Sequence, residues 1–134
     1  MGIAVSRGWI QRTFILSKGK GMKIKRHEKD GVAILEISGE MYGGPDNMVL
    51  IDTISELVKE KKLDLVIDLS KVKWISSTGL GILVSARSHY AKEGGVMKLC
   101  NPNDRVLGIL QVTRLNLIFD VLPSLDDAVA SFKK

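Results

Sequence analysis

The stretch Lys73-Trp74-Ile75-Ser76-Ser77-Thr78-Gly79-Leu80-Gly81 decides how this chain is read, because an extended apolar segment gives way there to three hydroxyls and then to a helix. Upstream, Leu63-Asp64-Leu65-Val66-Ile67-Asp68-Leu69 is short, aliphatic and β-branched, the pattern of a strand buried on both faces. Downstream, Leu80, Leu83, Val84, Tyr90 and Ala91 recur at helical spacing, and Gly94-Gly95 supplies a stop. Ser76, Ser77 and Thr78 therefore fall where a helix begins. The first turn of a helix carries free N–H groups and a partial positive charge of about half an elementary unit. A phosphate ester on one of these hydroxyls would bring a charge of about −1.5 to −2 and three acceptor oxygens to that place. Gly79 and Gly81 leave the neighbouring backbone bare, so a second protein can approach closely. Capping stabilises by about 1 kcal/mol and uses one hydroxyl; the other two need a further reason.

Working back from that stretch, Met22-Lys-Ile-Lys-Arg alternates, Asp30-Gly31 marks a tight turn, and Val32 to Ile37 resumes an extended pattern, which predicts a hairpin. Ser38 to Pro45 reads as a loop, and Met48, Ile51, Ile54, Ser55 and Val58 place a helix that ends by Lys61-Lys62. Ser70 to Ser77 is read as the loop leaving the buried strand. Further on, Val96 to Cys100 predicts a strand, Asn101 to Asp104 a loop with capping residues, and Val106, Leu107, Leu110 and Leu115 a helix. Asn116 to Leu122 is apolar enough for a last short strand, and Ser124 caps a final helix with acids in its first turn. Strands alternating with helices after an opening hairpin predict an α/β fold with a mostly parallel sheet and an antiparallel edge. In such folds function gathers at the carboxyl ends of strands, where the hydroxyl cluster lies.

One domain is expected from 134 residues. The formal charge is +5, but residues 1–21 hold Arg7, Arg12, Lys18 and Lys20 and no acid, so +4 belongs to that leader and +1 to the rest. The leader is read as disordered and basic, or as residues translated from a start codon upstream of Met22, with a weak docking arm for an anionic surface as the sharper alternative; residues 22–134 are read as the folded domain. Its apolar runs are too short for a signal-peptide core or a membrane span. Aromatic residues make up 5% and are scattered singly, which gives no support to a nucleic-acid surface. Cys100 is the only cysteine, so no internal disulfide forms and a reducing cytoplasm is the natural compartment; it follows an apolar run and is read as a buried, inert thiol.

The parts of an enzyme are missing. His27 and His89 are the only histidines and are read as solvated; neither sits in a metal-ligand cluster. Gly79-Leu80-Gly81 lacks the Lys-Ser/Thr of a phosphate-binding loop and the spacing of a dinucleotide fingerprint. Ser76-Ser77-Thr78-Gly79 does not match a nucleophile elbow, and no histidine is placed as its base, which argues against a small hydrolase.

The segment Asp68-Leu69-Ser70-Lys71-Val72-Lys73-Trp74-Ile75-Ser76-Ser77-Thr78-Gly79-Leu80-Gly81 resembles the signature of STAS-domain proteins of the anti-sigma factor antagonist family. The likeness runs from about Met22 to the C-terminus, through Ser38-Gly39-Glu40 and Gly94 to Leu99. It implies a single STAS-like domain with a mixed four- to five-stranded sheet and about four helices, which binds a partner instead of turning over a substrate and needs no cofactor of its own. It further implies that Ser77 is phosphorylated by an anti-sigma factor that is itself a serine kinase of the histidine-kinase-like ATPase type, and that a PP2C-type phosphatase reverses this. The implied contact surface holds Glu40, Tyr42, Gly43, Trp74, Ser76, Thr78, Gly79 and Leu80. Two positions depart from the family pattern: Ser76 stands where an aspartate commonly precedes the phosphorylated serine, and Tyr42 where another aspartate is frequent. They motivate a second reading, a STAS scaffold or transport-system subunit that is never modified and acts purely by protein–protein contact.

Overall fold

In the computed structural model, which describes residues 9–15, 22–41 and 46–132, six strands form one sheet in chain order. They are β1 (Trp9–Ile15), β2 (Met22–Lys29), β3 (Val32–Met41), β4 (Asp64–Ile75), β5 (Val96–Cys100) and β6 (Val121–Leu122). The helices are α1 (Asp46–Lys59), α2 (Ser77–Lys92), α3 (Asp104–Val112) and α4 (Leu125–Ala130). The pairs β1–β2 and β2–β3 are antiparallel and the others parallel, so the mixed sheet with an antiparallel edge is present as the sequence predicts. At the β2–β3 hairpin, Asp30 and Gly31 both take positive φ, 54° and 81°, the geometry that a two-residue loop between twisted strands requires.

Alternation along the strands divides the core into two layers. Ala33, Leu35 and Ile37 on β3 and Leu65, Ile67 and Leu69 on β4 face Leu50, Ile54 and Leu57 of α1, Leu83 and Tyr90 of α2, and Leu110 of α3. On the opposite face Val32, Ile34, Val66 and Cys100 meet Ala128 and Val129 of α4. A β4 strand buried on both sides is what its unbroken aliphatic run demanded. The glycine stop after α2 also matches: Gly94 has φ 89°, and Gly95 N–H returns to the Tyr90 carbonyl at 2.9 Å.

Four expectations need correction. Residues 9–15 are not an unstructured leader but a strand, with Trp9 opposite Lys29 and Phe14 opposite Arg26; the run Trp-Ile-Gln-Arg-Thr-Phe-Ile favours strand, and the outer edge of β2 offers unpaired backbone groups to receive it. Two stretches expected as loop are strand: Ser38 to Met41 ends β3 and Ser70 to Ile75 ends β4, each carried past its apolar run by pairing with the other, while residues 42–45 of the first expected loop lie outside the described residues. Only Val121–Leu122 is strand in the last apolar stretch, because Leu115–Leu117 forms a 3-10 turn behind Arg114, whose φ is 63°. The five strands expected from residue 22 onward are all there; β1 adds the sixth.

Candidate functional site

The site is built where β4 hands the chain to α2. In pairing with β3, β4 twice carries one extra residue, between the pairs Glu36–Asp68 and Ser38–Lys71 and again between Gly39–Val72 and Glu40–Trp74. Bulges of this kind re-aim the side chains that follow them. The first is pinned by Ser70 N–H, which donates to Asp68 Oδ1 at 3.0 Å. The second brings Trp74 level with Glu40, and both are half-buried at the carboxyl end of the sheet.

Ser76 is the N-cap of α2. Its Oγ accepts from Gly79 N–H at 3.0 Å and donates to the Met41 carbonyl at 3.2 Å, while its own N–H reaches the same carbonyl at 2.9 Å. One hydroxyl thus satisfies the helix end and ties it to β3. Ser77 and Thr78, the first two helical residues, are exposed, and the Ser77 hydroxyl makes no hydrogen bond among the described residues. Neither histidine reaches them: His89 lies 3.2 Å from Ser55 Oγ across the α1–α2 seam, and His27 lies 3.3 Å from Glu36, so both are engaged rather than simply solvated. The arrangement can present a nucleophilic hydroxyl to an external enzyme, but brings no internal base to it.

Gly79 and Leu80 were expected at a contact surface, and the fold turns both inward. A Cβ on Gly79 would run into the Met41 carbonyl oxygen and lie 3.1 Å from Ile75 Cγ1, so the bare backbone serves a close internal approach. Leu80 belongs to the core beneath the sheet. Gly81, in contrast, has nothing within 4 Å and leaves an open helix surface one turn beyond Ser77. Tyr42 and Gly43 lie outside the described residues. Of the expected surface, Ser77 and Thr78 are exposed, and Glu40, Trp74 and Ser76 are partly so.

Two contributors were not foreseen. The Met41 carbonyl holds Ser76, and no side-chain signal can announce a backbone acceptor. Asn103 caps α3 through Oδ1, 2.7 Å from Val106 N–H, while its Nδ2 donates to the Val72 and Lys73 carbonyls at 3.1 and 3.4 Å. It therefore fixes α3 beside the strand that carries Trp74. Its capping half was visible in the sequence; its reach across the sheet was not.

Residues 23–128 match the family model of the STAS domain. An anti-sigma-B factor antagonist of Bacillus subtilis is 34% identical over 100 residues, which span 73% of this chain and 86% of that protein. The crystal structure of an anti-sigma factor antagonist from Mycobacterium paratuberculosis superposes with a TM-score of 0.75 at 28% identity, over 89% of this chain and all of that one. The Bacillus cell fate determinant SpoIIAA, solved in its phosphorylated form, shares the fold at a TM-score of 0.60 and 11% identity, over 90% of this chain and 99% of that one.

Proposed function

The chain belongs to the STAS domain family, and from that premise we propose that it acts as an anti-sigma factor antagonist switched by phosphorylation of Ser77. The observation that carries this reading is the division of labour at the start of α2. Ser76 is consumed by the cap, whereas the Ser77 hydroxyl projects into solvent from the first helical position. The unmodified protein binds an anti-sigma factor that is also a serine kinase of the histidine-kinase-like ATPase type, and so frees the sigma factor. The kinase, holding ATP and Mg²⁺, passes the γ-phosphoryl group to Ser77 Oγ, so that the bond to ADP breaks, ADP leaves, and the kinase's own base takes the hydroxyl proton. A dianion there is welcome to the helix end yet repels and desolvates badly against a fitted partner, so the complex dissociates. A PP2C-type phosphatase resets the switch. The antagonist itself binds and is acted on, in the cytoplasm, without catalysing a reaction.

The absence of an acid before Ser77 leaves the helix start intact, because Ser76 supplies the cap. The test is intact-mass measurement after incubation with the kinase and ATP, together with partner titration. The expected result is one added phosphate in the parent and none in Ser77→Ala. Ser77→Ala keeps its affinity, and Ser77→Asp loses about ten-fold or more, the order that one badly desolvated charge imposes. Phosphate uptake by Ser77→Ala, or parental affinity in Ser77→Asp, overturns the assignment.

A further inference from the structure

We propose that Asn103 is a positioning residue for the switch: its carboxamide stands in for a missing strand and fixes the end of β4 that aims Trp74 and presents Ser77. The role rests on the reading of Ser77 as the phosphorylated residue. β4 runs from Asp64 to Ile75, but β5 accompanies it only from Asp64 to Asp68, where Cys100 ends the ladder. The remainder, Leu69 to Ile75, has β3 on one side and, among the described residues, no strand on the other. A strand end paired on one side and bulged twice has little control of its own direction, because each bulge leaves a residue outside the ladder.

Lys73 is the extra residue of the second bulge, since Val72 pairs with Gly39 and Trp74 with Glu40. In a regular strand successive carbonyls point to opposite neighbours, so one donor does not reach two of them. Here it does. Asn103 Nδ2 donates to the Val72 carbonyl at 3.1 Å and to the Lys73 carbonyl at 3.4 Å, and so grips the bulge itself, immediately ahead of Trp74. The other end of the amide is anchored. Oδ1 accepts from Val106 N–H at 2.7 Å, and α3 buries Val106 and Leu110 in the core. Asn101 N–H donates to the Leu122 carbonyl at 3.1 Å, and Pro102 stiffens the link between the two asparagines. With the Met41 carbonyl holding Ser76 from the β3 side, the segment that carries Ser77 is gripped from both flanks.

The residue type supports this second task. Asp and Ser cap a helix about as well as Asn, but among good caps only Asn sets an NH₂ group beside its acceptor oxygen. Asn103 is exposed, so when its donor is lost water satisfies the two carbonyls and little stability goes with it. Water supplies no fixed link to α3. What is lost is position, and phosphoryl transfer depends on placing the attacking oxygen to within about an ångström.

Steady-state phosphorylation of the full chain by its kinase tests this with Asn103→Ser and Asn103→Asp, which keep a capping oxygen and lose the paired donors. In both, kcat for Ser77 is expected to fall about ten-fold and KM to change less than about three-fold, since most of the contact surface is untouched while the acceptor is misplaced. Loss of folded protein alone does the reverse, raising the apparent KM with kcat kept. Ser124→Ala removes a cap of the same kind from α4 and should leave both constants parental. A second measurement is independent of the kinase. In a Trp9→Phe background Trp74 is the only tryptophan, and acrylamide should quench its emission about two-fold more strongly in the Asn103 variants. Parental kcat in both variants, or parental quenching in both, overturns the assignment of Asn103. A parent protein that takes no phosphate at Ser77 overturns the switch instead, and the quenching then decides alone whether Asn103 holds the strand.

Discussion

Ser76, Ser77 and Thr78 are alike in the sequence and unlike in the fold, and their difference can be measured. Ser76 satisfies Gly79 N–H and ties α2 to the Met41 carbonyl, so Ser76→Ala should cost about 1–2 kcal/mol in a urea titration. Ser77→Ala touches neither bond and should stay within about 0.5 kcal/mol of the parent. If the two variants melt alike, the cap has been assigned to the wrong residue. The hydroxyl cluster and the helix start were legible because residue type and helical spacing announce them; which hydroxyl caps was not, because that depends on where the Met41 carbonyl sits. The same contrast governs Gly79 and Leu80. Their sequence shows a bare backbone and an aliphatic side chain, but only the packing of β3 against α2 shows that both face inward. Cys100 is the opposite case, since an apolar run alone foretold its burial. Burial pushes its thiol up to about 12, with Asp68 adding to the rise. Iodoacetamide at pH 8 should therefore leave the native protein unlabelled and modify the unfolded chain fully; rapid labelling of the native form would contradict the buried thiol.

Between elements, polar side chains join strands that the apolar pattern alone leaves independent. Arg26 of β2 bonds Glu28 at 3.4 Å and Glu60, just past α1, at 2.5 Å, and Lys62 closes the group with 3.0 Å to Glu28. Alternation placed Arg26 on the inward face, but nothing in the sequence paired it with a residue 34 positions away. Truncating it leaves a buried carboxylate short of a partner, so Arg26→Ala should destabilise by about 3 kcal/mol, with little dependence on salt. A loss below about 1 kcal/mol would mean that Lys62 alone satisfies Glu28. On the other face Glu36 joins β2 to β4. Burial pushes its carboxyl up, but the bonds from Lys71 and His27 outweigh that and hold it below its ordinary value. A carboxylate depressed in the folded state contributes stability that is complete above its unfolded pKa and is lost as pH falls through the folded one. The parent should therefore lose more stability between neutral pH and about pH 3 than Glu36→Gln does; equal acid sensitivity would remove Glu36 from that limb. Element order, the hairpin turn and the caps were readable because each rests on local chemistry. The full length of β4 was not, because bulged pairing with β3, a long-range contact, extends it beyond its apolar run.

At the scale of the whole molecule, the division between core and edge makes β1 separable from the switch. Among the described residues both core layers are composed of residues between Ile24 and Val129, and the strands that carry Glu40 and Trp74, the second of which leads into Ser77, sit at the centre of the sheet. Among the described residues β1 pairs with β2 alone, through a register interrupted between Ile10 and Phe14. A chain reduced to residues 22–134 should still fold cooperatively, because the apolar burial that offsets chain entropy remains. It should lose a few kcal/mol at most, since β2 then becomes an edge strand that keeps its own hairpin partner. Guanidinium unfolding measures the loss, and titration with the kinase should return the parental affinity, because the surface around Ser77 lies at the junction of β4 with α2. A truncated chain that folds but cannot bind the kinase would move the partner surface to the sheet edge, and one that does not fold would make β1 a required part of the folded core.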